Sequence, residues 1–207
     1  MCNLYRMTKN ADEVAHLFDA VAQIGSNAGG EVYPGYPGMV IAQGTVETMT
    51  WGFPLAMKSK RTGEPLKPKP VNNARTDKLS GGFWRHAFIN RRCLIPVQAF
   101  AEAQGPQGAK TRTWLSLPDA DVFAVAGLWR PSDEWGDCYA MVMTECCQQT
   151  ADIHDRMPVI LRRDQYADWL GSDAQAAFDL CRPYDGDILI DRTAVPWAGG
   201  SARQTLL

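Results

Sequence analysis

The sequence predicts an α+β fold, a single domain built on a mixed or antiparallel barrel-like sheet with a few peripheral helices. Three observations support this fold class. Seven short β-type runs are bounded by Gly, Pro, Asp or Ser, whereas only three segments carry helical signals. The chain has no internal repeat and no low-complexity linker, and its 207 residues are enough to bury a sizeable core. We therefore predict one domain over 1–207.

The first helix is predicted directly after Asn10. Asn10 can accept a hydrogen bond from the first turn while Glu13 reaches back to it, which is a capping-box arrangement. An apolar stripe at helical spacing follows, made of Val14, Leu17, Phe18 and Val21. His16 falls off this stripe, so we expect it to be a solvated surface histidine.

The remaining elements follow from the same kind of signal. Short strands are predicted at 38–43, 46–51, 93–98, 112–117, 121–127, 138–144 and 158–161. Two short helices are predicted near 164–170 and 173–181, the second stopped by Pro183. The segment 58–72 is rich in proline and lysine, and we expect an exposed loop there rather than a regular element.

Charge is distributed unevenly along the chain. Overall, 21 basic residues oppose 23 acidic ones, a balance that is not typical of a nucleic-acid binder. Between Lys58 and Arg92, however, ten basic residues oppose only Glu64 and Asp77. Such a stretch can build a local positive field for an anion on an acidic protein. A solvated loop explains the charge by itself equally well.

Several classes of protein are excluded by features that the sequence lacks. The longest apolar runs are far shorter than the roughly 20 residues of a membrane helix, and MCNLYRMTKN has no apolar signal-peptide region. We expect a cytoplasmic monomer without a membrane partner, in which the six cysteines are reduced. No CxxC pair is present and the three histidines have no zinc-type spacing, so we expect no metal and no cofactor.

Cys2 has a distinctive chemistry once Met1 has been removed. It then presents an α-amine and a thiol on neighbouring carbons. The α-amine has a pKa of about 7.7–8.0, against about 10.4 for lysine, so much more of it is unprotonated at neutral pH. It can attack an aldehyde to form an imine, and the thiol can then close a five-membered thiazolidine. The alternative is that Cys2 is a small buried hydrophobe at a strand start.

Five motifs, in order along the chain, resemble those of one known family. They are MCNLY at 1–5, VNNARTDKL at 71–79, RRCLIPVQAFAEA at 91–103, FAVAGLW at 123–129 and HDRMPVIL at 154–161. They are similar to the motifs of the SOS-response-associated peptidase (SRAP) family, whose members sense abasic sites in single-stranded DNA. The resemblance implies a positively charged DNA channel that ends at the N-terminal cysteine. It also implies a thiazolidine crosslink to the ring-opened sugar aldehyde.

The resemblance assigns four catalytic roles. Cys2 matches the nucleophile, and Asn73 matches the amide that hydrogen-bonds near the amine and the opened sugar. Glu102 matches the acid/base glutamate, and because it follows an apolar segment we expect its pKa to be raised. His154 matches the histidine that handles the sugar hydroxyl or an adjacent phosphate. For Asn73, Glu102 and His154, the alternatives without a catalytic role are a turn asparagine, an exposed strand-end glutamate and a surface histidine, respectively.

Three arginines are the candidate DNA contacts. Arg75 and Arg156 match positions that hold phosphates of the bound strand, a task that suits the planar guanidinium fork. Arg85, in the basic stretch, is the third. Structural ion pairs with Asp77 or Asp155 are the alternative for the first two.

The chain departs from the family pattern at two positions beside these motifs. Many members read MCGRY, whereas this chain has Leu4 and lacks a cationic contact there. The acid/base glutamate is often followed by Trp, which can stack on a base for roughly 1–3 kcal/mol, but here Ala103 follows it. Met57 or Trp84 is a substitute platform, with a core role as the alternative for Trp84.

The resulting functional hypothesis is an abasic-site sensor that crosslinks to single-stranded DNA through Cys2. The family name implies self-processing peptidase activity at Met1, and an imine intermediate permits abasic-site lyase activity. Two rivals stay open at this point. One is an N-terminal-nucleophile cysteine amidohydrolase, and the other is a non-covalent single-stranded DNA binding module in which Cys2 is structural.

Overall fold

The computed structural model describes residues 2–23, 25 and 29–197. The described part contains four α-helices, which are α1 Ala11–Phe18, α2 Arg85–Asn90, α3 Tyr166–Gly171 and α4 Ala174–Asp179. Its strands are β1 Tyr5–Met7, β2 Val21–Ala22, β3 Gly30–Val32, β4 Pro37–Ala42, β5 Thr45–Trp51, β6 Phe53–Lys58, β7 Pro65–Val71, β8 Asn73–Arg75, β9 Arg92–Val97, β10 Ala99–Gln104, β11 Thr111–Ser116, β12 Phe123–Ser132, β13 Gly136–Glu145, β14 Arg156–Pro158, β15 Ile160–Leu161 and β16 Leu189–Pro196.

Five strands close into a small barrel. The order β13–β12–β9–β4–β5 is antiparallel throughout, and β5 then pairs in parallel with β13 through Thr50 and Trp51. Closure removes two exposed edges, which a sheet of this size would otherwise leave unpaired. Strand β8 adds a second parallel pairing along β13. The predicted α+β class with a mixed barrel-like sheet is confirmed, while the domain boundary of 1–207 stays a prediction.

A second sheet carries the amino terminus. Its order is β16–β11–β10–β1–β3, and Tyr5 of β1 pairs with Phe100 of β10. The pairing continues towards the chain start, because the Ala101 N–H donates to the Leu4 carbonyl over 2.9 Å. Residues 2–4 therefore run beside β10, the strand that carries Glu102.

Two tyrosines join the second sheet to the barrel. The hydroxyls of Tyr5 and Tyr139 lie 2.6 Å apart, fully buried, and Trp51 packs against both rings. Gly38 of β4 leaves the room for them, since a Cβ there would lie 2.1 and 2.2 Å from the two hydroxyl oxygens. Buried aromatic side chains of this size each contribute about 2–3 kcal/mol through burial. This contact fixes β1, and with it the amino-terminal segment, against the barrel.

Helix α1 begins as the sequence predicts and ends earlier. The Asn10 side chain accepts from the Glu13 N–H over 3.0 Å, and Glu13 accepts from the Asn10 N–H over 2.9 Å. Asp19 then adopts a left-handed conformation with φ of 52°, which stops the helix. The placement of Val21 on the helical stripe is therefore wrong, because Val21 lies in β2 and is 69% exposed. His16 is exposed, as predicted.

The loop predicted at 58–72 is wrong in its second half. Residues 65–71 form β7, which pairs with β6 as an exposed two-stranded hairpin. Strand β7 has one free edge. Pro68 and Pro70 are two residues apart, so the N–H groups that they lack would lie on the same side of the strand, and the strand tolerates both prolines there. Arg130 anchors the hairpin base, with its guanidinium 4.3 Å from the Phe53 ring centroid and 4.8 Å from that of Phe83.

The other predicted elements are present with adjusted bounds. Strand β12 runs on to Ser132, and the strand predicted at 158–161 is two short strands divided at Val159. The two late helices are α3 and α4, and Asp173 caps the second by accepting from two main-chain N–H groups. Helix α2 was not predicted. Among the described helices, none is long and apolar enough to cross a membrane.

Candidate active site

Cys2 is buried, and two asparagine side chains hold its main chain. The carbonyl oxygen of Cys2 accepts from Nδ2 of Asn72 and from Nδ2 of Asn73, each over 2.9 Å. The Cys2 side chain has no exposed surface and belongs to the main apolar core. Burial alone agrees with the structural alternative for Cys2. The polar groups that surround it are not explained by that alternative.

Both asparagines reach one carbonyl because the backbone is irregular between β7 and β8. Successive side chains in a regular strand point to opposite faces, but Asn72 lies between the two strands rather than within either. Its carbonyl accepts from the Met141 N–H over 2.9 Å and from Trp51 Nε1 over 3.3 Å. Asn73 Oδ1 is buried and has no hydrogen-bond partner within residues 2–23, 25 and 29–197. The hydrogen-bonding capacity of this acceptor is therefore unsatisfied within those residues.

Glu102 is the buried carboxyl beside Cys2. It is 4% exposed on β10, which excludes the exposed strand-end alternative. Burial raises the pKa of Glu102 from an ordinary 4.5 to about 7, although the positive charge of the amino terminus opposes this shift. Burial raises the pKa of the Cys2 thiol well above its usual range, and the charge of Glu102 raises it further. At neutral pH the thiol is therefore protonated, while Glu102 can both give and take a proton.

His154 is a half-buried neutral imidazole next to β14. Burial lowers its pKa, as does the positive charge of the amino terminus, whereas Asp155 opposes the shift. Nδ1 accepts from the Arg156 N–H over 3.0 Å, which places the proton of the neutral ring on Nε2. Asp155 Oδ1 also lies 2.8 Å from Nδ1, but a bond there needs a protonated ring, and Asp155 is 78% exposed to water. The neutral form with an Nε2 donor is the one that the surroundings favour.

The candidate DNA-binding arginines lie at different places. Arg75 is opposite Met143 and Arg156 is opposite Glu145, on the two sides of β13. Arg75 donates to both carboxylate oxygens of Asp77 over 2.9 and 2.8 Å, which is the ion pair named as its alternative. These hydrogen bonds lower the pKa of Asp77, and the charge of Arg156 lowers it further.

Arg85 lies near the ion-pair partner of Arg75, because Arg85 and Asp77 line the same cleft. It is exposed on α2 and lines a cleft between α2 and α4 together with Phe88 and Phe178. The structure thus brings Cys2, Asn73 and Glu102 into one centre, and the charge of the amino terminus acts on both Glu102 and His154. The structure does not bring Arg85 to that centre.

Comparison with known proteins decides the family. A family model described as SOS response associated peptidase (SRAP) matches residues 1–195. The chain belongs to this family. The resemblance seen in the five sequence motifs is thereby confirmed.

Several relatives of this SRAP chain carry a common description. It is 27% identical over 208 residues to the abasic site processing protein YoqW of Bacillus subtilis strain 168, covering 90% of this chain and 89% of the relative. It is 26% identical over 211 residues to the abasic site processing protein YobE of the same organism, covering 90% and 91%.

Solved structures share the SRAP fold of this chain. A Bordetella bronchiseptica protein superposes with a TM-score of 0.78 at 25% identity, over 93% of this chain and 99% of that one. A Bacteroides thetaiotaomicron protein superposes with a TM-score of 0.76 at 19% identity, over 93% of each chain, and shows likeness of fold alone.

The two departures from the SRAP pattern have different surroundings. Leu4 is 1% exposed and packs with Ala99, Ala101 and Trp114 in a second apolar cluster. Ala103 is half-buried on β10. Trp84 is 6% exposed and packs edge-to-face on Phe83, so the core alternative for it is correct.

Met57 is 39% exposed on the hairpin, and its role as a platform stays a prediction. In the described part of the SRAP chain no three His, Cys, Asp or Glu side chains are arranged to hold a metal ion.

The main residue that the sequence analysis missed is Asn72. An Asn-Asn pair is typical of a turn. The only indication of a functional role for Asn72 was that it directly precedes the motif residue Asn73. Its contacts to the amino-terminal residue depend on the pairing of β8 with β13, which local sequence does not encode.

Proposed function

We propose that this protein captures abasic sites in single-stranded DNA as a covalent thiazolidine on Cys2 after removal of Met1. One observation supports this proposal above the others. Cys2, the residue that will bear both the α-amine and the thiol, is held by Asn73 and lies beside Glu102, whose pKa is about 7. Kinship with relatives named abasic site processing proteins supports the choice of substrate. Met1 itself lies outside the described residues.

The order of bond formation follows from the protonation states. Because burial keeps the Cys2 thiol protonated, the α-amine is the first nucleophile. Its nitrogen adds to C1′ of the ring-opened sugar, and the carbinolamine oxygen leaves as water with a proton from Glu102. The nitrogen keeps one hydrogen in the resulting iminium ion, and Glu102 is left as a carboxylate. Sγ then adds to the iminium carbon while this carboxylate takes the thiol proton, which restores the acid form of Glu102. One C–N bond and one C–S bond form, and one water is released.

The other candidate residues have matching tasks. Asn73 Oδ1 accepts from the amine or from a hydroxyl of the opened sugar, since a buried acceptor without a partner needs a donor. His154 donates from Nε2 to a sugar or phosphate oxygen and so assists ring opening. Held at near-attack distance, amine and aldehyde gain several kcal/mol from pre-organisation.

The DNA strand is held by cations at the surface, of which Arg75 and Arg156 are half-buried and Arg85 is exposed. Arg75 and Arg156 lie at the carboxyl end of β13 and contact phosphates, and Arg85 continues the path along α2. For this, Arg75 exchanges Asp77 for a phosphate, and both partners suit its bidentate fork. The hairpin β6–β7 with its connecting turn adds further exposed positive charge at Lys58, Lys60, Arg61, Lys67 and Lys69.

Two further activities belong to the same centre. The Glu102 carboxyl can support hydrolysis of the Met1–Cys2 bond, which is the self-processing peptidase activity. The imine between amine and sugar permits β-elimination at C3′, which is the lyase activity.

The two rivals are weaker on the same observations. A cysteine amidohydrolase that works through a thiolate needs a lowered thiol pKa, whereas burial raises that of Cys2. A non-covalent binding module gives no reason for a buried carboxyl with a pKa near 7 beside the chain start.

The test is incubation with a single-stranded oligonucleotide that bears one abasic site, followed by denaturing electrophoresis and intact mass. The expected product is heat-stable and has the mass of the processed protein plus the oligonucleotide, less one water. Cys2→Ala keeps the α-amine but cannot close the ring, so only borohydride should trap its adduct. A borohydride-independent, heat-stable adduct of Cys2→Ala at the wild-type rate would exclude the thiazolidine.

A further inference from the structure

Asn72 is a second amide at the Cys2 carbonyl, where one would suffice to satisfy a single hydrogen bond. Its Nδ2 lies 2.9 Å from the Cys2 carbonyl oxygen and 3.1 Å from Oδ1 of Asn3. Its own carbonyl accepts from Trp51 Nε1 and from the Met141 N–H, so its main chain is fixed to the barrel. Asn72 therefore connects a rigid part of the core to the first two residues of the processed chain.

We propose that Asn72 is a positioning residue that acts with Asn73 to aim the α-amine of Cys2 at Glu102. This inference rests on the proposed function. A carbonyl held by one donor can still pivot about that bond. Two donors from adjacent residues remove this freedom. Rotation about the Cα–C bond could still turn the amine, but the Cys2 side chain is fully buried and its Sγ donates to the Leu4 carbonyl over 3.6 Å, so this rotation is restricted as well.

The contact to Asn3 extends the hold by one residue. Asn3 is exposed, and its Oδ1 shares the Asn72 amide with the Cys2 carbonyl. The side-chain amide of Asn72 thus binds both the main-chain oxygen of Cys2 and the side-chain oxygen of Asn3. Loss of Asn72 should leave the carbonyl with the single donor of Asn73, which keeps the chain end near Glu102 but with a wider range of amine directions.

The experiment is a double-mutant cycle on the full chain, with removal of Met1 verified by intact mass for every variant, because Glu102 is also proposed to support that removal. Asn72→Leu should slow adduct formation with the abasic oligonucleotide about fivefold, the factor equivalent to one neutral hydrogen bond. Affinity for an intact oligonucleotide should not change. In a Glu102→Gln background the same substitution should slow adduct formation less than twofold, because the direction of the amine affects the rate only while Glu102 transfers protons. Additive losses, or no loss in the single variant, would overturn the proposal.

Two controls separate positioning from stability. Asn10→Ala removes the cap of α1 and should lower the unfolding temperature without changing the rate of adduct formation. Asn72→Ser, which is smaller and polar, serves if Asn72→Leu does not fold, and the same non-additivity is expected. A rate loss for Asn10→Ala equal to that of the Asn72 variants would assign their effect to stability and contradict the proposal.

A DNA-free arm keeps this inference separate from the proposed function. The processed protein is incubated with a small soluble aldehyde, and thiazolidine formation is followed by intact mass. The same non-additivity between the positions of Asn72 and Glu102 is expected there. If the wild type fails to join the abasic oligonucleotide, the proposed function fails, whereas the aldehyde arm still decides the role of Asn72.

Discussion

The buried centre around Cys2 and the exposed basic surface are built in opposite ways. At the centre, the Cys2 carbonyl has two fixed donors and burial shifts the pKa values of both Cys2 and Glu102. On the surface, Arg75 holds an exchangeable partner in Asp77, and the hairpin β6–β7 exposes its lysines to water. Under the proposed function, this difference means that reactivity is pre-organised in the core, whereas affinity for the strand is spread over weak, replaceable contacts.

Glu102→Gln should separate the two regions most sharply. Gln keeps the shape but cannot transfer a proton, so adduct formation should slow by roughly 10²–10⁴-fold while DNA affinity stays within about twofold. The wild-type rate should also show a pH inflection near 7, the pKa of Glu102, and the variant should lack it. Rates are measured over a pH series with the abasic oligonucleotide. Equal rates and equal pH profiles would remove Glu102 from the mechanism.

The same substitution should stabilise the fold at alkaline pH. The native state binds the Glu102 proton more tightly than the unfolded chain, so stability falls as pH rises from 4.5 to about 7. Above pH 7 the loss amounts to about 3 kcal/mol. Glu102→Gln avoids this loss. The free energy of unfolding of the variant minus that of the wild type should therefore be about 3 kcal/mol larger at pH 8 than at pH 4.

Glu31→Gln is the matched control with the opposite sign. Burial would raise the Glu31 pKa, but hydrogen bonds from Tyr33 and Arg112 outweigh it and lower the pKa. This carboxylate stabilises the fold above its unfolded pKa, and the stabilisation is lost as the pH falls. Denaturant unfolding at both pH values checks both variants. A pH-independent difference for Glu102→Gln would show that burial does not shift its titration.

On the exposed surface the effects should be small and salt-dependent. Arg75→Ala and Arg156→Ala should each weaken binding of single-stranded DNA several-fold and reduce the salt slope by about one. Asp77→Asn should leave binding unchanged or tighten it, because Arg75 no longer has to exchange a carboxylate for a phosphate. Arg163→Ala, whose partner is Asp19, is the control. Unchanged salt slopes in both arginine variants would place the DNA path elsewhere.

Sequence motifs predicted that Cys2, Asn73 and Glu102 belong to one site, and the structure brings the three together, while their chemical roles stay a prediction. Local spacing predicted the capping box of α1. Asn72 was missed because its role depends on a parallel pairing between distant strands. Strand β7 was missed because proline is typical of a loop. Three prolines are compatible with a hairpin strand only when the outer edge of that strand is unpaired, which the local sequence does not show.

The most direct measurement compares two tagged forms of the chain on one abasic oligonucleotide. An uncleavable extension before Cys2 turns the α-amine into a non-basic amide nitrogen, which cannot form an imine, although every side chain is still present. A carboxyl-terminal tag leaves the amine free. Intact mass verifies which residues precede Cys2 in each form. The proposed mechanism predicts no crosslink for the extended protein and a full, heat-stable crosslink for the protein with the carboxyl-terminal tag. Full crosslinking by a protein whose extension is verified would contradict it.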